Sequence, residues 1–233
     1  MNGSRMRHLW ISLVFLSWAC PALAANAPHA GGATSHRVAM QRIAQDMAIA
    51  PKLSYVWDRP YCLRYRSAHP DLLILGDSIF DGWSGYLLHV FPGAIVDARV
   101  GRQFASAIPI YQKLLAYPGV RAVRTVVVEL GTNGPVTPEQ VSQFLRLAGP
   151  KRRGVFIVPQ VPRPWAHEVQ SLYDRLPQRY PNVRLEYWNR LSTLPDGREN
   201  PAYFWGDGVH PSWAGIQVLV SGLRKVLQQE DRS

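Results

Sequence analysis

Cysteine is almost absent from this chain, which has only Cys20 and Cys62. Cys20 falls in a segment expected to be removed. Cys62 is then alone, and an intramolecular disulfide is excluded. No motif surrounds Cys62 to make it a catalytic thiol. Metal-ligand patterns are missing as well: His167-Glu168 has no second histidine at the spacing of a zinc-binding helix, and no other ligand cluster is visible. There is no phosphate-cradling glycine loop, no dinucleotide fingerprint and no nucleic-acid-binding motif. The expectation is a protein with no metal, no cofactor and no nucleic-acid partner. Acidic residues are few, 16 against 26 Lys and Arg, for a formal charge of +10. That excess could attract an anionic polymer such as an envelope polysaccharide. The arginines are scattered, however, and only Lys151-Arg152-Arg153 forms a run, so the sequence favours a purely compositional origin.

Long apolar runs are confined to the N-terminus. Arg5 and Arg7 precede an apolar stretch from Leu9 to Trp18, and Ala22-Leu23-Ala24 offers a small-x-small cleavage site. This is the pattern of a secretory signal peptide over residues 1–24, too short for a comfortable membrane span. Ser17-Trp18-Ala19 before Cys20 is a poor lipobox because Trp18 is too bulky. The protein is therefore expected to be exported, periplasmic or secreted. Residues 25–35 read as a flexible leader rich in small residues. Residues 36–70 read as an N-terminal helix followed by an irregular, proline-interrupted connection from Leu53 to Pro70, packed on a domain spanning 71–233.

Within that domain, apolar runs alternate with amphipathic segments. Leu72 to Leu75 is a short continuous apolar run ending at Gly76, as in a strand buried on both faces. Four further strands are expected at Ala94–Val100, Thr125–Leu130, Gly154–Val161 and Val183–Trp188. Helices are expected at Phe80–Phe91, Phe104–Tyr117, from Thr137, at Pro164–Arg179, and from about Pro211 to Gln228. The alternation implies a parallel sheet with helices on both faces: an α/β fold, a three-layer α/β/α sandwich with a flavodoxin-like five-stranded parallel sheet.

Ligands bind such sheets at the carboxyl ends of the strands. Three polar clusters sit there: Gly76-Asp77-Ser78, Gly101-Arg102-Gln103 and Gly131-Thr132-Asn133-Gly134. A fourth, Gly206-Asp207-Gly208-Val209-His210-Pro211, precedes the last helix. Together they supply the parts of an acyl-transfer site. Ser78 is the candidate nucleophile and His210 the candidate base. Asp207, three residues before His210, is placed to hold a ring nitrogen. Pro211 is expected to start the last helix and so fix His210 at its N-terminus. The backbone N–H groups of Ser78 and Gly101, with the Asn133 amide, are the candidate oxyanion donors. Asp77 is expected to be structural. Arg102, Gln103, Arg163 and Trp165 are candidate substrate-binding residues, although Arg163-Pro164-Trp165 could equally open a helix with a packed indole. Trp83, Trp205 and Trp213 flank these loops and could stack on sugar faces, with core or rim packing the readier account. Gly-x-Ser-x-Gly is absent at Ser78, which argues against an α/β-hydrolase elbow.

These four blocks, in this order, resemble those of the SGNH (GDSL-like) hydrolases. The resemblance covers nearly the whole domain and implies a flavodoxin-like sandwich with Ser78, Gly101, Asn133 and His210 as the named quartet and Asp207 completing a triad. Asp97-Ala98-Arg99-Val100-Gly101-Arg102-Gln103, Glu129-Leu130-Gly131-Thr132-Asn133-Gly134 and Val161-Pro162-Arg163-Pro164-Trp165 are similar to the SGNH domains fused to membrane-embedded acyltransferases. That similarity implies short acyl groups, acetyl above all, on envelope carbohydrate, moved to water or to a sugar hydroxyl. A membrane acyl donor would then be a separate protein. A non-catalytic polysaccharide-binding member of the fold is the alternative.

Overall fold

A computed structural model describes residues 63–65, 67 and 69–229. The signal peptide, the leader and the N-terminal helix expected from residue 36 lie outside the described residues.

The chain enters with β1 (Leu63–Tyr65) and β2 (Leu72–Gly76), then helices α1 (Ser78–Gly82) and α2 (Ser84–Val90). β3 (Ala94–Ala98), α3 (Phe104–Leu114), β4 (Thr125–Glu129) and α4 (Pro138–Ala148) follow. β5 (Arg153–Ile157), α5 (Ala166–Asp174), β6 (Val183–Glu186) and α6 (Trp213–Gln228) complete the described frame, with short helical turns between them. The sheet order is β1-β3-β2-β4-β5-β6, with β1 antiparallel to β3 and the other pairs parallel. The five parallel strands therefore take the flavodoxin-like order expected from the sequence.

Side-chain alternation along the strands builds two cores. On one face Leu73, Leu75, Val126, Val128 and Phe156 meet Phe104, Phe144 and Tyr173 of α3, α4 and α5. On the other, Ile74, Val127, Val155 and Ile157 meet Phe80, Leu88, Ile216 and Leu223 of α1, α2 and α6. Because both faces are covered, the strands read as continuous apolar runs rather than alternating ones.

Several boundaries differ from expectation, each for a physical reason. β1 is a sixth strand, drawn from the stretch read as irregular. Three residues are too few to show periodicity, and Leu63–Tyr65 are ordered by the open edge of β3, where Arg64 pairs with Val96. The helix expected over Phe80–Phe91 is broken at Trp83, whose indole N–H donates to the Pro211 carbonyl at 3.3 Å. The helix expected over Pro164–Arg179 starts at Ala166 and is interrupted at Arg175, just before Pro177, which has no N–H to continue it. The last helix starts at Trp213, capped by the Ser212 hydroxyl, which accepts from Gly215 N at 3.2 Å. Pro211 lies outside it and forms an antiparallel bridge with Phe204.

Candidate active site

Strand register decides where the polar clusters arrive. Gly76 pairs with Ala98 on one side and Glu129 on the other, so β2, β3 and β4 end at one level. The loops carrying Ser78, Gly101 and Asn133 leave from that common edge. Gly76 is required there sterically: a Cβ would lie 2.7 Å from Phe80 Cβ and 3.0 Å from Glu129 Oε2. Asp77 then caps α1, its Oδ1 accepting from Ile79 N at 3.0 Å. Ser78 is the first residue of α1, partly exposed above the sheet.

His210 comes from the opposite end of the domain sequence, on a hairpin-like turn rather than at a helix start. Trp205 N donates to the His210 carbonyl at 2.8 Å and Ser212 N to the Tyr203 carbonyl at 2.9 Å, which closes the turn around the Phe204–Pro211 bridge. The turn is organised by Asp207, whose Oδ1 accepts from Val209 N at 2.9 Å and His210 N at 3.0 Å. Its Oδ2 lies 2.6 Å from His210 Nδ1, and His210 Nε2 lies 2.9 Å from Ser78 Oγ. With Nδ1 carrying the proton toward Asp207, Nε2 presents its lone pair to the serine hydroxyl. Burial alone would raise the Asp207 carboxyl pKa, but hydrogen bonds from the His210 ring and from the Val209 and His210 amides outweigh it and hold it below the usual range. The histidine–aspartate pair is half exposed, with side chains 41% and 48% accessible.

The candidate oxyanion donors converge unevenly. Gly101 is exposed with φ of +73°, a left-handed conformation that favours glycine. Among the described residues, neither Gly101 N nor Ser78 N has an acceptor. The Asn133 amide nitrogen is engaged: it donates to Asp77 Oδ2 at 3.0 Å and, on a long contact, to the Arg102 carbonyl at 3.4 Å. Asp77 is fully buried, its two oxygens divided between Ile79 N and the Asn133 amide.

Arg102 corrects a substrate-binding expectation. Its guanidinium turns inward to Asp97, bonding Oδ1 at 2.6 Å and the carbonyl at 2.5 Å, and both side chains are almost wholly buried. An arginine just after a strand can reach back under its own loop, and here it braces the Gly101 turn. Gln103 is exposed and lies along Gly134, whose Cβ would sit 3.4 Å from its Cδ. Arg163 is exposed on the turn after β5. Trp165 is half-buried against the core, and its indole donates to the Gly131 carbonyl at 3.1 Å, so it props the Asn133 loop from beneath. Of the flanking tryptophans, Trp83 and Trp213 pack on each other at 5.7 Å, while Trp205 stays exposed.

One site residue escaped the sequence reading. Glu129 ends β4, buried, and its Oε2 accepts from Asp77 N at 3.0 Å. Two carboxyl groups buried this close do not both ionise. Burial raises Asp77 to about 6, with the hydrogen bond from Ile79 N opposing it. Burial and the Asp77 charge push Glu129 well above its usual value. The shift favours the protonated form of Glu129, while Asp77 Oδ2 accepts from the Asn133 amide. The available signal was an acid inside the otherwise apolar run Thr-Val-Val-Val-Glu-Leu. Among the described residues no group of three or more His, Cys, Asp or Glu side chains is placed to hold a metal ion, and no helix is long and apolar enough to cross a membrane.

Comparisons with known proteins bear on the fold and on sequence similarity. No family model matches the chain. O-acetyltransferase OatA of Staphylococcus aureus is 30% identical over 157 residues, 67% of this chain and 25% of that protein. The chain thus spans about a quarter of the length of the curated relatives it matches. Among solved structures, the C-terminal catalytic domain of Streptococcus pneumoniae peptidoglycan O-acetyltransferase A superposes with a TM-score of 0.58 at 18% identity, covering 68% of this chain and 93% of that one. A GDSL-like lipase from Bacteroides thetaiotaomicron superposes with a TM-score of 0.57 at 16% identity, covering 80% and 97%. By its flavodoxin-like sheet and these neighbours, the chain has the SGNH (GDSL-like) hydrolase fold.

Proposed function

We propose that this protein is an exported serine acyl-transfer enzyme that takes acetyl or another short acyl group from an ester and passes it, through an acyl-Ser78 intermediate, to a carbohydrate hydroxyl or to water. The observation that carries this reading is the continuous relay Ser78 Oγ–His210 Nε2 at 2.9 Å and His210 Nδ1–Asp207 Oδ2 at 2.6 Å. Ser78 Oγ attacks the acyl carbonyl carbon while its proton passes to His210 Nε2. The oxygen charge that develops is met by the Ser78 and Gly101 N–H groups. The Asn133 hydrogen on the long Arg102 contact is the one free to join them. Collapse breaks the ester bond, and the leaving oxygen takes the proton from His210. The acceptor hydroxyl then gives its own proton to His210 and attacks the acyl carbon, and as the acyl–Oγ bond breaks His210 returns that proton to Ser78 Oγ. Asp207 stabilises the imidazolium at each stage.

An envelope polysaccharide is the favoured carbohydrate because relatives carry the name peptidoglycan O-acetyltransferase. The acyl donor would come from a separate membrane acyltransferase. The test incubates the protein with an activated acetyl ester and sugar oligomers, with Ser78→Ala as control, and follows acetate and acetylated sugar by mass spectrometry. Acetyl-sugar that depends on Ser78 supports transfer, and free acetate alone reduces the activity to an esterase. Neither product from the wild-type protein would overturn the enzymatic reading.

A further inference from the structure

The turn that presents His210 also presents an aromatic side chain that the chemistry above does not use. Next to the antiparallel bridge of Phe204 with Pro211, Trp205 is joined to His210 by the bond from Trp205 N to the His210 carbonyl at 2.8 Å. The second backbone tie, Gly208 N to the Trp205 carbonyl at 3.0 Å, closes the intervening turn and fixes the Trp205 backbone. Yet the side chain itself is 49% exposed, belongs to neither core cluster, and makes no ring pair or hydrogen bond among the described residues. Trp83 and Trp213, which flank the same region, are consumed by packing. A large indole left uncovered on a backbone already fixed supplies a broad contact area at the cost of fixing only two side-chain torsions. It presents an apolar face together with a polar N–H, the combination that suits the C–H face and hydroxyl rim of a pyranose ring.

The geometry points to Trp205 as the platform for a sugar ring of the carbohydrate substrate, the ring that carries the reacting oxygen or its neighbour in the glycan. This rests on the carbohydrate reading above and adds the residue that selects for it. Covering roughly 80 Å² of indole corresponds to about a 30-fold change in affinity.

The experiment compares wild type, Trp205→Ala and Trp205→Phe in the full chain, using 4-nitrophenyl acetate and an O-acetylated or acceptor oligosaccharide of N-acetylglucosamine. Trp205→Ala should lower the ratio of glycan to nitrophenyl-ester kcat/KM by about 10- to 100-fold, mainly through KM, and Trp205→Phe should recover part of it. In a Ser78→Ala background, glycan binding measured by calorimetry should fall in parallel. Equal losses on both substrates would make Trp205 a support for the His210 turn and overturn the proposal, as would no change on either. A Ser78→Ala protein that binds glycan through Trp205 while the wild type releases no acyl group would leave the platform standing and sink the enzymatic reading. Turnover of glycan that is indifferent to Trp205 would do the reverse.

Discussion

Asp207→Asn separates the catalytic relay from the turn that carries it. Asp207 Oδ1 accepts from two backbone amides, Val209 and His210, and only an oxygen can do so. In the asparagine variant the side-chain oxygen must stay there, which leaves the NH₂ group where Oδ2 now meets His210 Nδ1 at 2.6 Å. That NH₂ donates, so Nδ1 becomes an acceptor and the ring proton moves to Nε2. Nε2–H then faces Ser78 Oγ with nothing to receive the serine proton. The equivalent wrong-tautomer substitution in a buried serine-protease triad lowers kcat about 10⁴-fold. Here the pair is 41% and 48% exposed, so water competes for both partners. The expected loss is accordingly nearer ~10³-fold, or about 4 kcal/mol of transition-state stabilisation. The measurement is kcat for acid release from an activated acetyl ester, beside a thermal melt of the same preparation. The melting temperature should stay within roughly 2 °C of wild type because the turn's hydrogen bonds survive. Asp207→Ala should lose activity and melt lower. An Asp207→Asn enzyme within about tenfold of wild-type kcat would refute the tautomer argument and the triad with it.

Two further predictions concern buried charge away from the reacting atoms. Arg102→Met strips Asp97 of both guanidinium bonds in a buried setting and should cost about 3 kcal/mol in a urea titration; a loss below about 1 kcal/mol would return Arg102 to the surface and to substrate binding. Glu186→Gln should stabilise the protein in a pH-dependent way. Burial lifts the Glu186 carboxyl from its usual 4.5 to about 8, against an opposing Trp188 amide. Between those values the native state holds a proton that the unfolded chain has released, so wild-type stability falls as pH rises through the window. The advantage of the Glu186→Gln variant should be near zero at about pH 4.5, about 3 kcal/mol at about pH 7 and at most about 5 kcal/mol above about pH 8, read from urea midpoints. A difference that does not change with pH would remove the raised carboxyl from the account.

Much of the site was legible from local chemistry. Leu72–Leu75 running into Gly76-Asp77-Ser78 announces a buried strand that delivers a serine, and Asp207-Gly208-Val209-His210 places an acid and a base one turn apart. The order of strands and helices then determines that every strand end faces the same edge, since parallel strands with right-handed crossovers leave no other arrangement. These features are short-range or topological, so they survive without coordinates. What depends on distant neighbours was not legible. Leu63–Tyr65 is a strand only because β3 has a free edge. Arg102 points inward because Asp97 waits beneath it, and one hydrogen of the Asn133 amide is held by Asp77 Oδ2, whose other oxygen caps α1. The start of the last helix moved from Pro211 to Trp213 because Phe204 captures Pro211 in a bridge, and that bridge sets Trp205 beside His210. The sequence alone determined which groups could do acyl transfer and on which edge of the sheet they would meet. Only the tertiary structure decided which polar side chains are free to meet a substrate and which are spent holding the site together, because desolvation and partner geometry are properties of the packed chain and not of any stretch of it.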